Sequence, residues 1–167
     1  MKTLHLLRHA KSSWDDPGLG DRERPLNRRG RRDAPRMGRA LAQRLDPMVV
    51  YASPALRAQL TLGGVCDGWP ELNALSHQSV EALYTFSSDD LAHWIAAFPG
   101  DDPALFLVSH NPALTDLVNE LCAGYVLDNL PTAGYAQLTL RIDHWHELVQ
   151  GCAILECTLF PKQLGDS

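Results

Sequence analysis

The chain has 167 residues, of which 45% are hydrophobic and 21% are charged, a composition typical of one soluble globular domain. No apolar run is long enough to span a bilayer, and Met1-Lys2-Thr3 leads directly into the first predicted strand. We therefore expect no membrane segment and no signal peptide. The four cysteines have no CxxC spacing, which predicts buried thiols in a reducing compartment and makes the cytoplasm the expected location.

The net charge of −5 conceals a strong asymmetry along the chain. Residues 1–57 carry 13 basic groups against 6 acidic ones, a net charge of +7, and the rest of the chain has a net charge of −12. The basic part suits an anionic ligand, but the acidic remainder argues against the broad footprint that nucleic acid requires. A single phosphoryl group is the expected ligand.

The first predicted element is a short buried strand with an abrupt polar end. Residues 4–7 form an apolar run that is too short for a helix, and Arg8 and His9 follow it at once. In α/β sheets, ligands bind beyond the carboxyl ends of the strands, where these two side chains would lie. Arginine binds phosphate oxygens, and a neutral imidazole can act as a nucleophile near pH 7.

A loop over residues 14–21 is predicted by its Gly, Pro and Asp content, and a helix follows it. Asn27 is the expected N-cap of this helix, which runs to about Leu45 with a kink or a split at Pro35. Arg24 precedes the helix, so it could turn back toward the strand ends. The other arginines of this segment are expected to face solvent.

Two more apolar runs end in polar side chains of the same kind. Residues 48–51 predict a strand that stops before Ser53, which is expected to cap a helix carrying Arg57 in its first turn. Residues 104–108 predict a third buried strand, and it stops at His110.

The remaining elements complete an α/β pattern. Residues 80–84 predict a short extended piece, Ser88 is the expected cap of another helix, and residues 135–142 and 152–160 predict a late pair of strands. No linker or repeat divides the sequence, so we expect one domain over residues 1–167, with helices covering a largely parallel sheet.

If the three buried strands are neighbours in this sheet, two arginines and two histidines converge on one crevice. Such a site can bind three phosphoryl oxygens while one imidazole attacks the phosphorus in line. We expect the nearby arginines to lower the pKa of the nucleophile, which keeps it neutral at pH 7.

Other chemistries lack their residues in this sequence. It has no GxxxxGK[ST] loop, no GxSxG elbow, and no cysteine followed six residues later by arginine. His144 and His146 are the only histidines at ligand spacing, and no carboxylate or cysteine cluster accompanies them. We therefore predict neither a metal nor another cofactor.

These residues resemble the histidine phosphatase superfamily, which has the phosphoglycerate-mutase-like fold, and within it the small SixA-type phosphohistidine phosphatases. The matching pieces span most of the chain in the order of the family: LRHAKS at 7–12, RPLNRRGRRDA at 24–34, SPALRAQLT at 53–61, VEALY at 80–84, VSHNP at 108–112 and PTAG at 131–134. The resemblance implies a three-layer α/β sandwich with a mostly parallel central sheet.

The resemblance also implies roles for individual residues. His9 would be phosphorylated during turnover, and the phosphate pocket would be completed by Arg8, Arg57 and His110. Arg24 matches an arginine that lines this pocket in the SixA branch, and Glu81 falls where the superfamily places its proton donor.

Two departures from the family pattern accompany this match. Leu60 stands where the family usually has Gln, which affects local packing more than chemistry. The segment between Arg57 and His110 is short, and an uncovered pocket suits a phosphorylated side chain of another protein better than a free sugar phosphate.

The expected function is therefore a metal-independent phosphatase that uses a phosphohistidine intermediate. Its favoured substrate is phosphohistidine on a protein, with neither a nucleic acid nor a membrane as partner. Two alternatives stay open, a phosphomonoesterase for a small metabolite and a phosphoprotein-binding module without turnover. The second is less consistent with the presence of both His9 and His110, because binding alone needs no in-line imidazole.

Overall fold

A computed structural model describes residues 1–165 and contains a six-stranded sheet. The strands are β1 (Lys2–Arg8), β2 (Val50–Ala52), β3 (Gln78–Ser79), β4 (Ala104–Ser109), β5 (Tyr135–Leu140) and β6 (Ala153–Leu159). Their order is β3-β2-β4-β1-β5-β6. The pairs β2/β3, β2/β4 and β1/β4 are parallel, whereas β5 pairs with β1 and β6 in the antiparallel sense. The predicted, largely parallel sheet with a late strand pair is confirmed.

Helices cover both faces of this sheet. They are α1 (Arg28–Ala42), α2 (Leu56–Gly68), α3 (Pro70–Asn73), α4 (Ser88–Ala96) and α5 (Ala113–Leu121). One apolar cluster joins the sheet to α4 and α5, and a second joins it to α1, α2 and α3. The protein is thus a three-layer α/β sandwich, as expected.

The alternation of side chains along the strands divides the core between the two faces. In β1, Leu4 and Leu6 belong to the α4/α5 cluster and Leu7 belongs to the α1/α2 cluster. In β4, Leu105 and Leu107 belong to the α4/α5 cluster, while Phe106 and Val108 belong to the α1/α2 cluster. Central strands buried on both faces carry apolar residues at consecutive positions, which explains why their runs were recognisable in the sequence.

The first helix starts where the sequence predicts, but its course at Pro35 differs from one of the predicted alternatives. The Asn27 side chain accepts a hydrogen bond from the Gly30 amide at 2.9 Å, so Asn27 is the N-cap. The helix continues through Pro35 as one element, and the alternative of a split is therefore wrong. At this proline α1 packs closely against α2, because a Cβ atom on Gly68 would lie 2.1 Å from the Pro35 carbonyl oxygen.

Three local predictions are wrong. The second helix begins at Leu56 with Ala55 as its N-cap, and Ser53 makes other contacts. The cap of α4 is Ser87, one residue before the predicted Ser88. Only the start of the predicted extended piece at residues 80–84 is extended, since a 3-10 helix at Glu81–Leu83 follows the very short strand β3. No helix within residues 1–165 is long and apolar enough to cross a membrane.

Candidate active site

The sheet order places the ends of β2, β4 and β1 side by side. Arg8 pairs with Ser109 in the register of β1 and β4, and the His9 amide donates to the Ser109 carbonyl at 3.2 Å. The Ser53 amide donates to the Val108 carbonyl at 2.9 Å. The polar residues that follow these three strands therefore share one edge of the sheet, as the sequence predicts.

His9 lies at the centre of this edge and is 8% exposed. Its Nδ1 lies 2.8 Å from the carbonyl oxygen of Ala10. A carbonyl oxygen only accepts, so the proton of the neutral ring is on Nδ1 and the lone pair is on Nε2. The backbone amide of Ala10 is itself fixed, because it donates to the Thr61 hydroxyl at 2.8 Å. This arrangement presents a neutral, oriented nitrogen nucleophile.

Burial is the main reason that the His9 ring stays neutral. It lowers the pKa of His9 to about 3, against the opposing hydrogen bond to Ala10, and the charges of Arg57 and Arg8 contribute in the same direction as burial. The expectation that arginines lower this pKa is met in direction, but the larger cause is removal of the ring from water.

His110 is buried beside His9, with the two ring centroids 5.2 Å apart. Arg57 Nη2 donates to His110 Nδ1 at 3.4 Å, so the opposite nitrogen carries the proton and donates to the Ser53 hydroxyl at 2.7 Å. Burial and the charge of Arg57 lower the pKa of His110 to about 4. Ser53 thus orients an active-site imidazole instead of capping α2.

Arg8 supplies an incompletely satisfied cation at the same edge. Its Nη1 donates to the Leu130 carbonyl at 3.0 Å, and its Nε is buried without a hydrogen-bond partner among residues 1–165. An unpaired buried N–H is costly in protein interiors, by about 1–3 kcal/mol. An anionic ligand oxygen can satisfy such a donor.

Asp21 connects the arginines on the outer side of the site. Arg57 donates to the Asp21 carbonyl oxygen at 2.6 Å and to its carboxylate at 2.9 Å, and Arg24 donates to the same carboxylate at 3.3 Å. The Tyr84 hydroxyl donates to it as well. Burial opposes ionisation of Asp21, but the hydrogen bonds from Tyr84 and Arg57 lower its pKa to about 2. The carboxylate therefore stays charged and fixes Arg57.

Arg24 is buried next to this cluster. Its other nitrogens donate to Ser12 and Ser13, and its guanidinium carbon lies 3.2 Å from the centroid of the exposed Trp14 ring. The predicted return of Arg24 toward the strand ends is observed.

Glu81 lies farther out, on the 3-10 helix that follows β3. Its carboxylate forms two hydrogen bonds with Arg22, at 2.5 and 2.9 Å, and its side chain is 70% exposed. The hydrogen bonds from Arg22 lower the pKa of Glu81. A general acid needs a raised pKa, so Glu81 could act in that role only after separating from Arg22.

Several residues of the site were not identified from the sequence. Asp21 was assigned to a loop and Ser53 to a helix cap, and Thr61, Tyr84 and Phe86 were not singled out. Their roles depend on contacts between distant segments, for which periodicity gives no signal. Nothing in the sequence distinguishes Asp21 from its acidic neighbours Asp15, Asp16 and Glu23.

The histidine pair at 144 and 146 lies outside this site. Its rings stack at 5.4 Å, and His144 contacts Asp101 at 3.3 Å. Among residues 1–165, no group of three or more His, Cys, Asp and Glu side chains is arranged to hold a metal ion.

A buried imidazole with a free Nε2, beside arginines at the strand ends of an α/β sandwich, defines a site for phosphoryl chemistry. Residues 4–83 match the histidine phosphatase superfamily (branch 1). The chain belongs to this superfamily and is a phosphatase.

Known proteins support this assignment over most of the chain. An uncharacterized protein of Mycobacterium tuberculosis (strain H37Rv) is 31% identical, over 89% of this chain and 96% of the relative. A SixA protein from Agrobacterium tumefaciens has a TM-score of 0.78 at 26% identity, covering 96% of this chain and 98% of that one. The protein histidine phosphatase SixA complexed with tungstate has the same TM-score and coverage at 25% identity.

The fold is also similar to that of a phosphatase whose name gives another substrate than those of the SixA proteins. The mycobacterial glucosyl-3-phosphoglycerate phosphatase has a TM-score of 0.68 at 16% identity and covers 93% of this chain and 97% of its own. At this identity the comparison concerns the fold alone.

Proposed function

We propose that the protein is a metal-independent phosphatase that dephosphorylates phosphohistidine on another protein through a covalent intermediate on His9. The observation that carries the proposal is the hydrogen bond between His9 Nδ1 and the Ala10 carbonyl, which leaves the Nε2 lone pair available. The proposal covers one phosphatase domain over residues 1–167 and a cytoplasmic location, which is consistent with four free cysteines.

The reaction has two steps on the same phosphorus atom. In the first, His9 Nε2 forms a bond to phosphorus while the P–N bond of the substrate breaks and its electron pair leaves with the substrate imidazole, which takes up a proton from solvent. In the second, water attacks the phosphorus, the bond to Nε2 breaks, and its electron pair returns to His9. Water supplies the oxygen of the phosphate product, and its released proton goes to solvent.

The charged residues supply the stabilisation that metal ions supply in other phosphatases. The Arg8 and Arg57 guanidinium groups can neutralise the equatorial oxygens, and His110 can contribute an imidazole contact. Arg24 would support this set through Asp21, because Arg24 and Arg57 both donate to the Asp21 carboxylate.

Hydrolysis of a small phosphate ester is the second candidate. The same residues could serve it, but an alkoxide leaving group needs a proton, and the carboxylate of Glu81 is paired with Arg22. The imidazole of phosphohistidine is a better leaving group and depends less on a proton donor. This difference favours phosphohistidine.

A turnover assay in excess EDTA tests the proposal, with a phosphohistidine protein and a panel of phosphate esters as substrates. We expect chelation to leave the rate unchanged and phosphohistidine to be the preferred substrate. Labelled substrate should transiently give an acid-labile, alkali-stable phosphoryl mark on the wild type and none on His9→Ala, which should also lose turnover. Loss of activity in EDTA that zinc or magnesium restores would contradict the metal-independent mechanism.

A further inference from the structure

Two aromatic side chains form a wall beside His110. The ring centroid of Tyr84 lies 5.4 Å from that of His110, and the centroid of Phe86 lies 5.6 Å from it. The two aromatic rings are 5.8 Å apart and meet edge to face. The segment that carries them connects the 3-10 helix at Glu81–Leu83 to α4.

Tyr84 is held in place by its neighbours. Its hydroxyl donates to the Asp21 carboxylate, and the Arg22 guanidinium carbon lies 4.9 Å from its ring centroid. Asp21 in turn contacts Arg57. The aromatic wall is therefore connected to the phosphate-binding side chains, and its orientation is preorganised.

Phe86 differs from Tyr84 because half of its surface faces solvent. It is 48% exposed, although it packs against both Tyr84 and His110. Exposed aromatic surface is unfavourable in water, and a second ring stacked on it would remove that surface. Its position next to the His110 ring places this available surface beside the candidate active site.

We propose that Phe86, supported by Tyr84, receives the ring of the leaving group, the imidazole of a phosphorylated histidine. This inference rests on the proposed function and adds to it a residue that determines specificity. Substrates whose leaving group carries an aromatic ring would gain a contact that amine leaving groups without a ring lack. Phe86 makes no contact with the phosphoryl group in this assignment, so its removal should affect substrates without a ring less than substrates with one.

The test compares two substrates with P–N bonds, phosphoimidazole and phosphoramidate, of which only the first has a ring. We expect Phe86→Ala to lower the ratio of kcat/KM for phosphoimidazole to kcat/KM for phosphoramidate about 3- to 10-fold, the scale of one aromatic contact. Phe86→Tyr should keep the preference, and Phe86→Leu, which keeps apolar bulk without a ring, should lose it. Tyr125→Ala, which removes an aromatic side chain that is 76% exposed elsewhere, is the matched control.

Each outcome decides the inference. Equal losses with both substrates would mean that Phe86 merely supports His110. Wild-type behaviour of Phe86→Leu would mean that no ring is needed. Either result overturns the inference and leaves the proposed phosphatase reaction intact. A wild-type enzyme inactive on both P–N compounds would instead contradict the proposed function. The inference would then fail as well, because it concerns the imidazole of phosphohistidine.

Discussion

Arg57 illustrates how one side chain combines charge with orientation. It is 3% exposed, two of its nitrogens are fixed by Asp21, and one of these also contacts His110. A guanidinium group held in this way requires little reorganisation when charge develops on a phosphoryl group. Lysine could not reproduce these contacts, because its single nitrogen lacks the planar fork.

Replacement of this side chain, in Arg57→Ala, should lower kcat/KM by about 10²- to 10³-fold, the effect of removing one preorganised electrostatic contact. Steady-state kinetics with phosphoramidate would measure the loss, and Arg57→Lys should recover little of it. Arg44→Ala, at an exposed arginine, serves as the control. Thermal unfolding should verify that the variants are folded, and a folded Arg57→Ala enzyme with near-wild-type kinetics would contradict the assignment.

The histidines of the site make a prediction about pH. The pKa of His9 is lowered to about 3 and that of His110 to about 4, so both rings stay neutral from pH 5 to 8. Ring-proton NMR, assigned with His9→Ala and His110→Ala, should show no titration of either ring in this range. A midpoint near 6.5 for His9 would contradict its burial in a folded site.

The same pKa values have a consequence for stability. The unfolded chain takes up protons on these rings near pH 6.5, whereas the folded protein takes them up only near pH 4 and pH 3. The unfolded state binds more protons between these values, so their contribution lowers the free energy of unfolding as the pH falls below about 6.5. Activity measurements in acid therefore need a parallel measurement of folding.

Among the elements, the ends of β1, β2 and β4 were the most predictable part of the site. Each apolar run is local in the sequence, and parallel neighbours bring their carboxyl ends to one edge. The identity of the adjacent side chains could therefore be predicted from three short segments. The start of α2 could not, because Ser53 bonds to His110 across the sheet instead of capping the helix.

The 3-10 helix at Asp21–Glu23 is an element that could not be predicted from the sequence. It has no buried residues and no periodic pattern, so the sequence indicated only a loop. Its position is determined by contacts with Arg57, Tyr84 and Glu81 from later segments. Such long-range polar contacts leave no trace in local composition, although they organise the outer side of the site.

The ion pair between Arg22 and Glu81 provides a test of whether Glu81 acts as a general acid. If Glu81 is the general acid, Glu81→Gln should lower the rate with alkyl phosphates about 10²- to 10⁴-fold, less with p-nitrophenyl phosphate and least with a phosphohistidine protein. The ratio of variant to wild-type kcat/KM would be measured for all three in one buffer.

Arg22→Ala is the matched control, because it breaks the same ion pair and keeps the carboxylate. It removes the partner that lowers the pKa of Glu81. A general acid should then retain or gain activity toward alkyl phosphates. Equal and small losses in both variants, as expected for a solvent-exposed ion pair, would instead identify Glu81 as a structural contact only.

On the scale of the whole molecule, charge and shape are arranged around the same edge. Arg28, Arg29 and Arg32 line an open cavity of about 720 Å³ at the start of α1. The helix has no acidic residue in its first turn, although acidic side chains would favour the positive end of the helix dipole. Arg29 and Arg32 each pair with the buried Asp33 carboxylate at 3.5 Å, which accounts for part of this charge.

The start of α1 also lies close to the segment that follows His9. The Asn27 amide donates to the Lys11 carbonyl at 2.9 Å, and a Cβ atom on Gly30 would lie 2.2 Å from the same oxygen. Lys11 follows His9 by two residues. If the substrate is a phosphorylated protein, as proposed, the field of this basic surface would raise the encounter rate of an acidic partner.

This surface yields a prediction for a phosphohistidine protein with an acidic surface. The double variant Arg28→Glu and Arg32→Glu should raise KM for that substrate about 10-fold at low salt, because it reverses the charge that attracts the partner. The kinetics with phosphoramidate should change little, since a small anion reaches the buried arginines of the site directly. Added salt should reduce the difference between variant and wild type, as screening weakens interactions between exposed charges beyond about 10 Å at 0.1 M ionic strength. Arg44→Glu with Arg141→Glu makes the same change in net charge at exposed arginines that do not line the cavity. If this control pair raises KM as much as the first pair, net charge alone steers the substrate and the surface at the start of α1 has no special part in it.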